Sequence, residues 1–453
     1  MNRPVGLEAL SKNVAGGAFH NAAERYDAPK CHESTRVAIL QEIMRWVKDL
    51  DTKEFFRWLY GPAGAGKSAI AQSIAELCHE AGLIAASFFF SRAAADRNNT
   101  SRLISTIAYQ LTTTIPEIRQ HVSSAIERDP LVFTRSLNAQ LEALILRPLN
   151  SFMRSDASRG KLHPRLIVID GLDECGDGKT QHYFLTTLSS SLQRYPAVSL
   201  IFLIASRPEQ AIRNAFNQNP LNNLTGRIVL DDKYQPDADI RHFLTLQFDE
   251  IKKSHPSALY IPSSWPLTSQ IEELVNRSSG QFIYASTVIK FVQSSRHLPK
   301  KRLDIILGLI GPGNETPFAT LDTLYTLIFE TVAAEALEAV LDIFSFLLLF
   351  SSTSADKAKP DMVSEFWFFE SGEVQTMLVD LHSVIYVPTP YSSEQPHFRI
   401  LHASLQDFLL DRSRSGKFFI DAPKVHARMA QYCIKHTSLA LDYIRSGHTD
   451  STS

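Results

Sequence analysis

Short apolar runs alternate with stretches of helical periodicity over the first half of the chain. Phe55-Phe56-Arg57-Trp58-Leu59, residues 84–90, Leu166-Ile167-Val168-Ile169-Asp170, residues 199–205 and residues 226–230 have the length of strands and few polar positions, the pattern of strands covered on both faces. Between them, residues 35–50 place Val37, Leu40, Ile43, Met44 and Val47 on one stripe and predict an amphipathic helix, with Glu33-Ser34-Thr35 as its cap. Further helices are expected over 69–77, 101–111, 116–128 and 137–147, and a polar loop over 151–161. Strands alternating with helices predict an α/β fold: a doubly wound parallel sheet within residues 35–232. Residues 1–34 form a lead segment, loosely structured to about residue 18, then extended through Pro29.

Beyond residue 232 the pattern turns helical. Ile240, Phe243, Leu244, Leu246 and Phe248 mark one amphipathic helix, and 269–277 and 281–293 mark two more. These define a helical domain, 233–315, that ends in the linker Gly311-Pro312-Gly313-Asn314. Residues 317–350 are helical again, and Ser383-Val384-Ile385-Tyr386-Val387 with Pro396-His397-Phe398-Arg399-Ile400-Leu401 reads as a hairpin. Helices followed by a two-stranded wing predict a winged-helix domain, 316–420, before a helical tail, 421–453. No basic stripe lies on its expected recognition helix, which argues against a nucleic-acid partner.

Composition narrows the class without naming a chemistry. A chain of 453 residues, 44% hydrophobic and 21% charged, is long enough for roughly two to four domains with real cores. Its formal net charge of −2 supplies no electrostatic pull toward nucleic acid or an acidic membrane. Cys31, Cys78, Cys175 and Cys433 lie far apart with no CxxC pair, so a reducing, cytoplasmic setting is expected in place of a zinc site or a disulfide framework. The start of the chain lacks the apolar core of a signal peptide. The run 341–350 is about half the ~20 residues of a membrane helix and is expected in a core.

The candidate chemistry begins after the first strand. Gly61-Pro62-Ala63-Gly64-Ala65-Gly66-Lys67-Ser68-Ala69 fits the phosphate-loop pattern in its required setting of strand, Gly-rich turn and helix. Glycines let successive N–H groups point inward at phosphate oxygens, and the helix presents its positive end to the same anion. Lys67 then reaches the β- and γ-phosphates and Ser68 ligates Mg²⁺. The strand 166–170 ends on Asp170, a second candidate metal residue, and Asp173 and Glu174 follow as candidate catalytic acids for water, Glu174 preferred. The strand 199–205 runs into Ser206-Arg207, which parallel topology brings to the same rim, so Arg207 is a candidate γ-phosphate sensor.

Taken together, Gly61 to Ser68, Asp170-Gly171-Leu172-Asp173-Glu174 and Ser206-Arg207-Pro208 resemble the NACHT branch of the signal-transduction ATPases, which includes the NOD-like receptors. Leu401-His402-Ala403-Ser404-Leu405-Gln406-Asp407-Phe408-Leu409 is similar to the family's winged-helix element, and the resemblance implies that His402 contacts the β-phosphate of ADP in a closed state. Residues 22–32, followed by Thr35-Arg36, look like the lead-in of fungal NACHT proteins, where it packs near adenine. One departure is Phe282 in Gly280-Gln281-Phe282, where the family often has proline; the helix dipole at that N-terminus remains. The length leaves room for neither an effector domain nor a repeat sensor, so a core module, a short form or a fragment is expected. The resemblance implies an ATP/ADP-dependent switch with Mg²⁺, ATP-promoted self-association and an unspecified effector; slow hydrolysis is expected because Gly171 stands next to Asp170 and Glu174 must reach from further away. An AAA+-like remodelling ATPase and a nucleotide-binding scaffold without turnover are the alternatives.

Overall fold

Five of the apolar runs pair side by side, all parallel: β1 Phe56–Tyr60, β2 Ile84–Phe89, β3 Leu166–Asp170, β4 Ile201–Ser206 and β5 Thr225–Val229, in the order β2-β3-β4-β1-β5. This computed structural model describes residues 5–25, 28–92, 94–155, 165–230, 234, 236–308, 319–350, 358–381, 383–388 and 397–445. Tyr26 and Asp27 of the lead segment, most of the 151–161 loop, the 311–314 linker, the hairpin loop from 389 and the last eight residues lie outside them.

Runs that look uniformly apolar in the sequence divide between two faces at strand period. Ile167, Ile169, Phe202 and Ile204 join one core layer with Ile104, Ile107 and Leu185. Leu166, Val168, Leu203 and Ala205 join the other with Ile39, Ile43, Ile70 and Ile74. Each fully buried Ile, Val, Leu or Phe side chain contributes about 1.5–3 kcal/mol of transfer free energy, so helices on both faces are required. The register aligns the strand ends: Phe89 pairs with Asp170, Asp170 with Ala205, and Tyr60 with Ser206, so the C-terminal ends of four strands finish level.

Two local expectations change. Residues 5–18 are not loose: Val5–Lys12 is a helix against the helix Arg119–Arg128, and Leu10, Ala15 and Ala18 are fully buried. So short a helix is marginal alone and is held by tertiary packing, which a local pattern does not reveal. The cap of the helix Val37–Lys48 is also not Glu33-Ser34-Thr35. Arg36 occupies the N-cap with φ 56°, Thr35 Oγ1 donates to the His32 carbonyl, and the Arg36 N–H is met by Asp239 Oδ2 at 3.1 Å.

The lead segment is docked by polar contacts. His20 N–H donates to Ser87 Oγ at 2.9 Å, with its Nδ1 3.1 Å from the same oxygen, and its ring centroid lies 5.1 Å from that of His79. Burial, aided by His79, lowers the His20 pKa from 6.5 to about 4. In the unfolded chain the imidazole protonates near 6.5, whereas the folded one stays neutral until about 4. Its contribution is therefore complete above pH 6.5 and declines as pH falls toward 4. Urea unfolding should show His20→Gln losing about 2 kcal/mol less than wild type between pH 7 and 5. Equal losses would remove His20 from the acid response.

The chain divides into two compact units, Met1–Phe243 with Gly280–Phe282, and Leu244–Ser279 with Ile283–Ser453. The second is predominantly helical. Its helices include Thr268–Ser278, Pro299–Gly308, Ala319–Glu330, Pro360–Trp367 and Ala422–Arg445. Two two-residue strands, β6 Ile385–Tyr386 and β7 Arg399–Ile400, pair antiparallel. Leu337–Ser345 continues into a π turn, and Ile343, Phe344 and Phe346 are fully buried, so the most apolar run is core. No described helix is long and apolar enough to cross a membrane.

Candidate nucleotide site

β1 delivers the chain to Gly61 at the sheet's C-terminal edge, where space is short. A Cβ on Gly61 would stand 3.0 Å from the Leu230 Cβ and 3.2 Å from its carbonyl oxygen. Gly66, with φ 93°, N-caps the helix Lys67–Glu80, a backbone shape that disfavours other residues. The loop thus leads straight into a helix N-terminus, the setting in which backbone amides and the helix dipole receive an anion. Lys67 folds back over it, Nζ donating to the carbonyls of Gly61 at 3.0 Å and Pro62 at 2.7 Å. Burial lowers the Lys67 pKa to about 8, although Asp173, Asp170 and Glu174 oppose the shift. Ala63 and Ala65 are buried, and the Ala65 carbonyl accepts from Arg36 Nη2 at 3.1 Å.

The acids follow β3. Asp170, only 6% exposed, accepts from the Ser68 hydroxyl, and desolvation raises its pKa to about 6. Gly171, at φ 71°, then turns the chain into the short helix Leu172–Glu174. That turn returns the Glu174 carboxyl carbon to within 3.8 Å of where a Cβ on Gly171 would stand. One Glu174 oxygen accepts from the Arg92 N–H at 3.1 Å. Burial, with Asp173 and Asp170 close by, raises the Glu174 pKa to about 7.

Asp173 is engaged differently. Its Oδ1 accepts from the Arg207 N–H at 2.9 Å, and Oδ2 lies 3.2 Å from Arg207 Nε. Both carboxylate oxygens therefore hold the residue that follows β4. Ser206 ends β4 at the rim but turns its side chain into the core: it is fully buried and its hydroxyl accepts from Trp58 Nε1 at 2.9 Å. Lys67, Ser68, Asp170, Asp173, Glu174 and Arg207 thus share one edge of the sheet. His402 belongs to the second unit, where it N-caps the helix Ala403–Leu409.

Sequence reasoning passed over Arg92, whose Nη2 donates to the Asp173 carbonyl at 3.2 Å and lies 3.8 Å from Glu209. Arg207 stands out in the sequence as a cation directly after a buried parallel strand, and Arg92 is likewise a cation a few residues past the buried strand β2. Ser68 and Asp170 present hard oxygen donors, and no cluster of three or more His, Cys, Asp or Glu among the described residues forms a metal cage. That donor set fits Mg²⁺, which takes one or two protein oxygens and completes its shell with phosphates and water.

Residues 35–207 match the family model for the nephrocystin 3 N-terminal segment. Among solved structures, the chain is similar to the signal transduction ATPase with numerous domains (STAND) protein with a tetratricopeptide repeat sensor from Pyrococcus horikoshii. That likeness has 11% identity and a TM-score of 0.47, over 90% of this chain and 46% of that one. The chain therefore spans less than half the length of that protein. It also aligns with Drosophila ORC bound to DNA at 12% identity and a TM-score of 0.30, over 86% of this chain and 97% of that one. No curated protein matches. The span that matches the nephrocystin 3 N-terminal family carries the phosphate loop, the Asp170 strand and Arg207, and on that span the likeness to NACHT-type signal-transduction ATPases stands.

Proposed function

We propose that the chain is an ATP/ADP-dependent switch that binds nucleotide with Mg²⁺ and hydrolyses it slowly. The observation that carries this reading is the Ser68 hydroxyl on Asp170 beneath a phosphate loop that already holds the Lys67 ammonium. Phosphate oxygens would take over the loop amides and draw Lys67 away from the Gly61 and Pro62 carbonyls. Ser68 and Asp170 would hold Mg²⁺, which when bound neutralises charge on the phosphate oxygens. Glu174 is the base for water. With its pKa near 7 and one oxygen on the Arg92 N–H, it is only partly available at neutral pH, which supports slow turnover.

Arg207, steadied by Asp173, would read the γ-phosphate. His402 would hold the ADP state by contact with the β-phosphate, as in the NACHT proteins that its segment resembles. A nucleotide shifts a conformational equilibrium only by binding the two states differently, and these two residues are the source of that difference. ATP would then promote self-association in signalling, in the manner of the fungal NOD-like receptor proteins resembled by the lead segment.

The test is to identify the nucleotide released from purified full-length protein and compare it with His402→Ala. ADP should be found on the wild type, and the variant should release it faster and self-associate at lower concentration. Unchanged ADP release and unchanged association would remove His402 from the switch.

A further inference from the structure

Gln72 stands one turn beyond Ser68 on the same face of the helix Lys67–Glu80. It is 2% exposed, and its amide is fully engaged. Nε2 donates to the His20 carbonyl at 2.9 Å and to the Glu76 carboxylate at 3.0 Å, while Oε1 accepts from Arg25 Nη2 at 3.0 Å. Two residues of the lead segment thus grip the helix face that carries Ser68. The Arg25 guanidinium also lies over the Phe89 ring, 3.7 Å from its centroid, and Phe89 is the register partner of Asp170 across β2 and β3. One planar cation therefore ties the helix of Ser68 to the strand pair that ends in Asp170.

We propose that Arg25 is a positioning residue for the Ser68–Asp170 metal pair, so that residues 20–25 are a working part of the metal–nucleotide site. This rests on the reading that the site takes Mg²⁺ with nucleotide. Arg25 acts through Gln72 and Phe89: stacking and a directed N–H fix the spacing between the Ser68 hydroxyl and the Asp170 carboxylate. A lysine supplies the charge without the planar stack and the fork of donors. By linkage, metal and nucleotide binding should in turn tighten the lead segment.

The experiment uses the full chain and a fluorescent ADP analogue, titrated in EDTA and across Mg²⁺ concentrations. Arg25→Ala should raise the Mg²⁺ needed for half-saturation on the order of tenfold, the usual cost of removing a group that orients a metal ligand. Affinity in EDTA should stay within about twofold, because in this mechanism the side chain acts on the metal pair and not on the phosphates. Arg25→Lys should recover only part of the shift. Gln72→Leu should reproduce it, and the double variant should add little, as expected of one connected network. Amide exchange over residues 20–25 should slow when Mg²⁺ and nucleotide are both present, compared with nucleotide in EDTA.

The proposal is overturned by an unchanged Mg²⁺ requirement in Arg25→Ala, or by an equal loss in EDTA, which would make Arg25 a general support of the fold. Full recovery by lysine overturns the stacking role, and thermal unfolding of Arg25→Lys checks that the compared proteins are folded. Wild-type protein that binds no nucleotide under either condition would sink the parent reading, a result distinct from all of these.

Discussion

Lys67→Ala is expected to weaken nucleotide binding by about 3–4 kcal/mol, a few-hundredfold in Kd, because two charge-assisted hydrogen bonds to phosphate are lost. The ammonium is already in the loop, on the Gly61 and Pro62 carbonyls, so binding redirects it and does not have to order it. Burial has already brought its pKa to about 8, which sets the sign of the pH dependence. Below pH 8 the free protein carries Lys67 charged and affinity is flat; above it the charged form must be restored on binding, and affinity falls about tenfold per pH unit. Lys67→Ala should bind weakly and without this alkaline fall. Removing a desolvated cation should not lower the melting temperature of the nucleotide-free protein. Calorimetric titration at pH 7 and pH 9 checks the affinities, and a thermal melt of the free protein checks the stability. A variant that binds within threefold of wild type would place the phosphates elsewhere.

Much of this site could be read from the chain because its parts are local or obey one topological rule. The phosphate loop is contiguous, and the apolar strands ending in Asp170 and before Arg207 needed only the parallel sense of the sheet to share a rim. What stayed hidden depends on contacts between residues far apart in sequence. Arg36 is visible in the sequence only as part of a motif. In the structure its N–H and guanidinium engage Asp239, Ala65 and the Phe282 ring, the last with a 4.8 Å separation. Burial lowers its pKa, against the opposing charge of Asp239.

Phe282 makes a contact of its own. It carries Arg36 on its ring and packs against Phe243 with centroids 6.1 Å apart, so the position remains joined to the phosphate loop through Arg36 and Ala65. Gly280, at φ 72°, lies close to Pro236, whose ring a Cβ there would meet at 3.2 Å. Asp173 shows a different limit. Its composition and spacing suit a water-activating acid, yet which of two neighbouring acids has an unengaged oxygen is decided by the turn at Gly171 and by the backbone of Arg207.

That division of labour makes Glu174→Gln the second decisive variant. Gln keeps the size of the side chain and an oxygen to accept from the Arg92 N–H, so the turn Leu172–Glu174 should persist. What it loses is the carboxylate proposed as the base. ATP hydrolysis should fall roughly 10²- to 10⁴-fold with ATP affinity nearly unchanged, the signature of a group used in the transition state and not in binding. Wild-type turnover should rise with pH through about 7 as Glu174 ionises, and the variant's residual rate should lack that rise. The stability change has the opposite sign. Glu174 is protonated more readily in the folded than in the unfolded chain, so it opposes folding increasingly as pH rises from 4.5 to about 7. The glutamine variant should therefore melt higher than wild type at pH 8. Because ATP would persist on the variant, self-association should outlast a single addition of ATP, as light scattering would record. A mechanism run by Asp173 predicts instead that Glu174→Gln leaves turnover intact, and single-turnover kinetics separates the two.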